Sequence, residues 1–211
     1  MTRIVAGALL LDGTSVHLRA QMNGGRGRPW SAATAWAALA LLSGECVDWL
    51  TAPAMSRLRH RLRSSDASEL AWMVRRRAVV HRMQGWGDDT GLLSTGISAL
   101  RDSAMSALFD LTSVDRGTDG YIRASNFSAV ASSLGLVESQ SGDVRVRVVS
   151  DDAGYTVDHT LIAAVAVDLM SDSLDARESA AGRRVLQGLL DDFRTADRPK
   201  RQVVLRISAP E

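Results

Sequence analysis

Three consecutive segments decide the fold that this sequence predicts: RPWSAATAWAALALLSG (28–44), TAPAMSRLRHRLRSSDASELAWMVRRR (51–77) and AVVHRMQ (78–84). The first is rich in alanine, the residue with the highest helix propensity, and Ser31 stands before it as an N-cap. We therefore expect a helix over 29–42. In the second segment, Thr51 and Pro53 favour the start of another helix. Its apolar stripe at helical spacing consists of Met55, Leu58 and Leu62.

The remainder of this region predicts a third helix and a strand. Ser64 or Ser65 is the expected N-cap of the third helix, and the triplet of arginines at 75–77 stands at its end. Cationic side chains interact favourably with the dipole at a helix C-terminus, which gives this triplet a structural use. Residues 79–83 begin with two β-branched valines and predict a strand.

The remaining elements are expected on both sides of this region. The run VRVRVV (144–149) alternates apolar residues with arginine, which predicts a half-exposed antiparallel strand, paired as a hairpin with 136–139. Further strands are expected at 4–6, 8–11, 92–94, 121–123 and 203–207, and further helices at 97–108, 125–134, 161–170 and 175–193. The fold class is therefore α/β (α+β), a mixed sheet with packed helices.

Composition sets limits on the class of protein. A chain of 211 residues is long enough to bury a sizeable core. It has no run of about 18 apolar residues that would predict a transmembrane helix. The N-terminus has no convincing cleavage site for a signal peptide, and Cys46 is the single cysteine. We therefore expect a cytoplasmic protein without disulfides.

The charge is distributed unevenly along the chain. Residues 1–85 carry twelve arginines and five acidic residues, whereas residues 86–211 are net acidic, although the whole chain has a net charge of only +1. A basic and an acidic half suggest different partners for each. Alternatively, the solvated faces of the helices simply differ in charge.

No pattern of catalytic or metal-binding residues is visible. The four histidines stand apart, without the close spacing that metal ligands usually show. Cys46 stands beside Glu45 and Asp48, whereas a reactive cysteine usually has cationic neighbours. We expect no cofactor, no metal and no enzymatic activity. The five tryptophans are expected to anchor the core or an interface.

Several segments together resemble one family. They are GRPWSAATAWAALALLSG with SRLRHRLR and LAWMVRRRAVVHRM, then STGISAL, GYIRASNFSAVASSLGLVES, VRVRVV and AAVAVDLMSDSLDARESAAGRRVLQGLL. Over roughly residues 3–192, the chain resembles the actinobacterial AbiEi-like antitoxins of type IV toxin–antitoxin systems. The segment RIVAGALLLDGTSVHLRA (3–20) looks like the wing hairpin and closing helix of the winged helix-turn-helix that usually begins these proteins.

This resemblance implies a domain division and a function. Residues 1–27 would be a wing-like hairpin remnant and linker, with the helix-turn-helix truncated. Residues 28–195 would form the antitoxin domain, and residues 196–211 would form a C-terminal tail. The function implied is that of a non-enzymatic antitoxin and autorepressor, with its own promoter DNA and a nucleotidyltransferase-like toxin as partners. The acidic half would be the surface for the toxin.

If the chain binds DNA as the resemblance implies, the basic region would supply the phosphate contacts, because arginine can bind phosphate through two parallel hydrogen bonds. The residues expected to contact phosphates are Arg26, Arg28, Arg57, Arg59, Arg61, Arg63, Arg75, Arg76 and Arg77. The alternative is a protein-interaction module without DNA binding, which forms a homo-oligomer through the tryptophan-rich helices or binds the toxin.

Overall fold

The computed structural model describes residues 2–5, 8–11, 28–85, 90–112, 117–173 and 175–196. These ranges form an α+β fold, as predicted, with a mixed five-stranded sheet and helices packed against it. The helices are α1 (Ala32–Leu42), α2 (Ala52–Ser64), α3 (Ala67–Met73), α4 (Gly96–Ala99), α5 (Ser103–Phe109), α6 (Ala124–Ser133), α7 (Ile162–Asp172) and α8 (Ala176–Ala196). The strands are β1 (Thr2–Val5), β2 (Ala8–Leu11), β3 (Val79–Gln84), β4 (Leu93–Ser94), β5 (Thr118–Arg123), β6 (Val137–Glu138) and β7 (Val144–Val149).

The N-terminal strands β1 and β2 pair antiparallel, with Val5 opposite Ala8. The two short strands expected from the sequence are therefore confirmed. The last predicted strand, at 203–207, lies outside the described residues.

The order of the large sheet is β4-β5-β7-β3-β6. Strand β7 lies at its centre, parallel to β5 and antiparallel to β3. The predicted hairpin between 136–139 and 144–149 is wrong, because β3 lies between β6 and β7 and pairs with both. The prediction that β7 is half-exposed is also wrong, since Arg147 at its centre is 2% exposed.

Helices cover both faces of the sheet. On one face, α6 contributes Phe127, Val130 and Ala131 to a small core over β3, β5 and β7. On the other face, a larger core joins the sheet to α1, α3, α7 and α8. Trp36 of α1 is fully buried there, as expected of a core tryptophan.

The two C-terminal helices pack unusually close together. A Cβ atom on Gly182 of α8 would lie 2.5 Å from the carbonyl oxygen of Ala166 in α7. Only glycine permits this approach of the backbones. Since α7 is buried over nearly its whole length, it forms the centre of the helical layer, as its apolar sequence predicts.

The predicted helix N-caps have mixed outcomes. Ser31 caps α1 and Thr51 precedes α2, as predicted. Helix α3 is capped by Asp66 and not by a serine, because the Ser65 hydroxyl donates to the carbonyl of Arg61 at 2.8 Å. The helix predicted over 97–108 is two helices, since Asp102 caps a new one by accepting from the amide of Met105.

Candidate functional site

Helix α2 carries the candidate nucleic-acid-binding surface. Leu58 and Leu62 are buried and fix the inner side of the helix against the core. At about 100° per residue, Arg57 and Arg61 fall on one flank of this buried stripe, and Arg59 and Arg63 on the other. We call these two pairs the arginine rows; they are about 160° apart across the outer side of the helix.

The side chains on the outer side of α2, between the arginine rows, are small or polar. Ser56, His60 and Ser64 lie there, and all three are exposed. Arg57, Arg59 and Arg63 are exposed as well. The helix therefore presents a narrow crest with guanidinium groups on both sides.

Two of the four arginines in these rows have no counter-charge among the described residues, and a third has a distant one. Arg61 is 3.9 Å from Glu69 of α3, a distance and exposure typical of a weak surface pair. Arg57 and Arg59 form no ion pair with any carboxylate in the described ranges. Their charge is therefore available to a ligand.

The other predicted phosphate contacts are divided between surface and core. Arg28, Arg75 and Arg76 are exposed, and the guanidinium of Arg75 lies 3.3 Å from the ring centroid of Trp72. Arg26 lies outside the described residues. The prediction for Arg77 is corrected, because this residue is 5% exposed and its guanidinium is bonded within the core.

Two arginines from the acidic half of the chain join this basic surface. Arg194 of α8 donates from Nε to the carbonyl of Arg63 at 2.9 Å, and Arg183 donates to the Ser68 hydroxyl at 2.6 Å. Sequence reasoning missed both, since more than a hundred residues separate each from its contact. No local signal could have found them.

Arg77 belongs to a set of four buried charges, Arg77, Asp119, Arg147 and Asp168, which we call the buried charge cluster. The register of the sheet places Asp119 and Arg147 on neighbouring strands. Asp119 of β5 lies opposite Arg145 of β7, and Arg147 of β7 lies opposite Tyr121 of β5. Asp168 projects from α7, and Arg77 enters from the turn after α3.

Arg147 holds the cluster together by using all three nitrogens of its guanidinium. Its Nε and Nη2 donate to Asp119 at 2.6 and 2.8 Å, and Arg145 adds a third bond to the same carboxylate. Its Nη1 lies 2.9 Å from Asp168 and 2.8 Å from Asp172. This planar fork is the geometry in which arginine pairs best with carboxylates.

Asp168 accepts hydrogen bonds from three side chains and forms an ion pair with a fourth. The hydroxyls of Thr95 and Tyr121 donate to its Oδ2 at 2.6 and 2.8 Å, while Arg77 and Arg147 lie against its Oδ1. Burial alone would raise the pKa of Asp168, but the charges of Arg147 and Arg77 hold it below its ordinary value. For Asp119, burial outweighs its arginine partners and raises the pKa.

The buried charge cluster joins β5, β7, α7 and the turn after α3. Both oxygens of Asp168 are occupied by two partners each, and Asp119 accepts three hydrogen bonds from Arg145 and Arg147. A cavity of about 190 Å³ reaches Asp119 and Asp168 from outside, beside Arg145 and Asp172. Across the described residues, no group of three or more His, Cys, Asp or Glu is arranged to hold a metal ion.

Comparisons with models of protein families, with curated proteins and with solved structures found no match. None of the helices that the structure describes is long and apolar enough to span a membrane.

Proposed function

We propose that the protein is an antitoxin-like regulatory protein that binds duplex DNA through α2 and represses its own promoter. The observation that supports this proposal is the placement of exposed arginines on both flanks of α2. Helix α2 contains no acidic residue that could balance these charges through pairs within the helix.

The dimensions of α2 suit the major groove. A helix of 13 residues is about 20 Å long and, with its side chains, about 10–12 Å wide. The major groove is about 12 Å wide and admits one helix. The crest of Ser56, His60 and Ser64 would face the bases, and each of the arginine rows would reach the phosphates of one strand.

The neighbouring arginines extend the same surface. Arg28, Arg75 and Arg76 would contribute further phosphate contacts, as the sequence predicts. Arg183 and Arg194 would support α2 and α3 from α8. Phosphate contacts of this kind give affinity and orientation, whereas sequence selectivity would come from the crest.

The partner protein in this proposal comes from the family resemblance. It is a nucleotidyltransferase-like toxin, which the protein would neutralise in the cytoplasm without catalysis of its own. The occupation of both oxygens of Asp168 by Thr95, Tyr121 and two arginines supports a non-enzymatic role, because Asp168 is the most buried carboxylate of the described residues that line a cavity.

A protein-interaction module without DNA binding is the alternative, and one observation favours it. The outer edge of the sheet exposes Val79, Val80 and Val137, at 63%, 48% and 67%. Strand β6 pairs only with Met83 and Gln84 of β3, so a second chain could add along the rest of that edge. The Trp36 side chain is buried and cannot serve self-association.

Fluorescence anisotropy separates the two functions. Binding to the DNA upstream of the protein's own coding region is compared with binding to an unrelated duplex of equal length. We expect tighter binding to the upstream DNA, and weaker binding of both duplexes by Arg57→Ala/Arg59→Ala. The matched control is Arg82→Ala/Arg177→Ala, which removes two exposed arginines from other surfaces and should bind as the parent does.

Equal, weak binding of both duplexes by parent and variants would refute the DNA-binding proposal. Sedimentation of the parent would then test the alternative. A monomer at all concentrations would argue against self-association, whereas a dimer abolished by Val80→Lys would support it.

A further inference from the structure

A second cavity lies between the C-terminal end of α1 and the loop that precedes α7. Its volume is about 190 Å³, and its lining includes Glu45, Cys46, Asp48, Trp49, Tyr155 and His159. Neither the arginine rows nor the buried charge cluster contributes to this lining. The cavity therefore requires an explanation of its own.

The walls of this cavity are aromatic and fixed in place. The indole Nε1 of Trp49 donates to the carbonyl of Ala33 at 3.1 Å. Tyr155 stacks on Trp36, with ring centroids 4.3 Å apart and planes at 20°, and its hydroxyl donates to the carbonyl of His159. The walls are thus held by the core before any ligand arrives.

Gly154 allows the loop to approach Trp49 directly. Its φ is +77°, a conformation that favours glycine, and a Cβ atom there would lie 2.3 Å from Cγ of the indole. Any other residue would push the loop away from the ring. Gly154 therefore contributes to the shape of the cavity.

Two carboxylates and one imidazole, that of His159, line the cavity. Glu45 and Asp48 line it, and none of the residues that line it is an arginine or a lysine. Glu45 is 3.5 Å from Nε2 of His159, whose Nδ1 is 2.6 Å from Asp158. Asp48 is exposed and has no ion pair within the described ranges.

The negative field extends to the wall of the cavity. Burial raises the pKa of the Tyr155 hydroxyl, and the charges of Asp158 and Glu45 raise it further. An anionic ligand would be repelled by this environment. A cation with an apolar stem would be attracted by the carboxylates and would lie against the rings along its length.

We propose that this cavity binds the side chain of an arginine presented by a protein partner. The methylene stem would lie against Trp49 and Tyr155, and the guanidinium would pair with Glu45 and Asp48. Pockets for drug-sized ligands are typically about 300–1,000 Å³, so this smaller cavity suits a single side chain better than a cofactor. The proposal does not depend on DNA binding by α2.

The test uses blocked amino acids as probes and the protein's own tryptophans as reporters. The chain has five tryptophans, so the indole N–H region of a ¹H–¹⁵N spectrum contains few signals, and a Trp49→Phe variant identifies the one from Trp49. Nα-acetyl-arginine amide should shift that signal saturably. Nα-acetyl-citrulline amide has the same shape without the charge, and should bind at least about tenfold more weakly.

Two double variants assign the binding to the carboxylates. Glu45→Gln/Asp48→Asn should abolish the saturable shift. Asp143→Asn/Asp192→Asn removes the same charge from exposed positions elsewhere and should leave it unchanged.

Three results would overturn the proposal: no saturable shift, equal affinity for the arginine and citrulline probes, or binding that survives Glu45→Gln/Asp48→Asn. Binding of 1,5-diaminopentane as tight as that of the arginine probe would also overturn it, since the cavity would then be a site for free amines.

Discussion

The arginines of α2 and the arginines of the buried charge cluster show two opposite uses of one side chain. Arg147 is 2% exposed and satisfies carboxylates on β5 and α7 with every nitrogen of its guanidinium. Arg57 and Arg59 lie exposed on α2 and form no ion pair with the described residues. A buried charge must be paired with an opposite charge inside the protein, whereas a surface charge is solvated and remains available to bind a ligand.

The difference teaches that location and partners decide what an arginine does. Replacement of a cluster member should cost stability, because it leaves another charge buried and unpaired. Replacement of a surface arginine should leave stability almost unchanged and should affect binding only.

The largest expected effect is on stability, from Asp168→Asn. This change removes the carboxylate that Arg77 and Arg147 share, and leaves two guanidinium groups short of counter-charge in the core. We expect the free energy of unfolding to fall by about 3–5 kcal/mol, as measured by urea denaturation. The exposed control Asp192→Asn should change it by less than about 0.5 kcal/mol.

The contribution of Asp168 to the free energy of unfolding should depend on pH in one direction. Because the folded protein holds the pKa of Asp168 below its ordinary value, its stabilising contribution is complete above the unfolded pKa of about 3.9. The contribution is lost as the pH falls from there through the folded pKa. The difference between parent and Asp168→Asn should therefore shrink below about pH 4; a constant difference would contradict the assigned role.

A smaller effect should follow from a change that conserves charge. Arg147→Lys replaces a planar fork by a single ammonium, which cannot reach Asp119, Asp168 and Asp172 together. We expect a loss of about 1.5–3 kcal/mol in urea denaturation, the typical contribution of a hydrogen bond to a charged group. Arg59→Lys is the matched surface change and should be neutral. Similar losses for the two variants would remove the distinction between the two sets of arginines.

Sequence reasoning predicted the elements with strong local signals. The helices α1, α2, α7 and α8 are periodic in apolar residues or rich in alanine, and each appears close to its predicted range. The strand β3 follows from its β-branched residues. The sheet order could not be predicted in the same way, because β3 separates two strands that are neighbours in sequence.

The candidate site was predictable only in part. The arginines of α2 stand out in the sequence, but nothing local distinguishes Arg77 from its exposed neighbours Arg75 and Arg76. Its burial depends on Tyr121 and Asp168, which lie 44 and 91 residues away. The alternation of apolar residues and arginine in β7 suggested that Arg147 is exposed. A two-residue period assigns side chains to the two faces of the sheet, but it cannot show that both faces are covered by helices.

The smallest expected effect concerns the pair between α2 and α3. Arg61 and Glu69 lie 3.9 Å apart, with side chains 42% and 36% exposed. A double-mutant cycle with Arg61→Ala and Glu69→Ala should give a coupling energy of about 0–1 kcal/mol that falls with salt. A coupling comparable to that in the buried charge cluster would mean that Arg61 has a structural role and does not belong with the surface arginines.

The most direct test of DNA binding by α2 is the salt dependence of duplex binding. For the parent and for Arg57→Ala/Arg59→Ala, the logarithm of the binding constant is plotted against the logarithm of the salt concentration. If both arginines neutralise phosphates, the slope of the variant should be shallower by about 1.8, that is, about 0.9 for each phosphate that is no longer neutralised. Equal slopes for the two proteins would show that these side chains of α2 do not touch DNA, and would contradict the proposed role of the arginine rows.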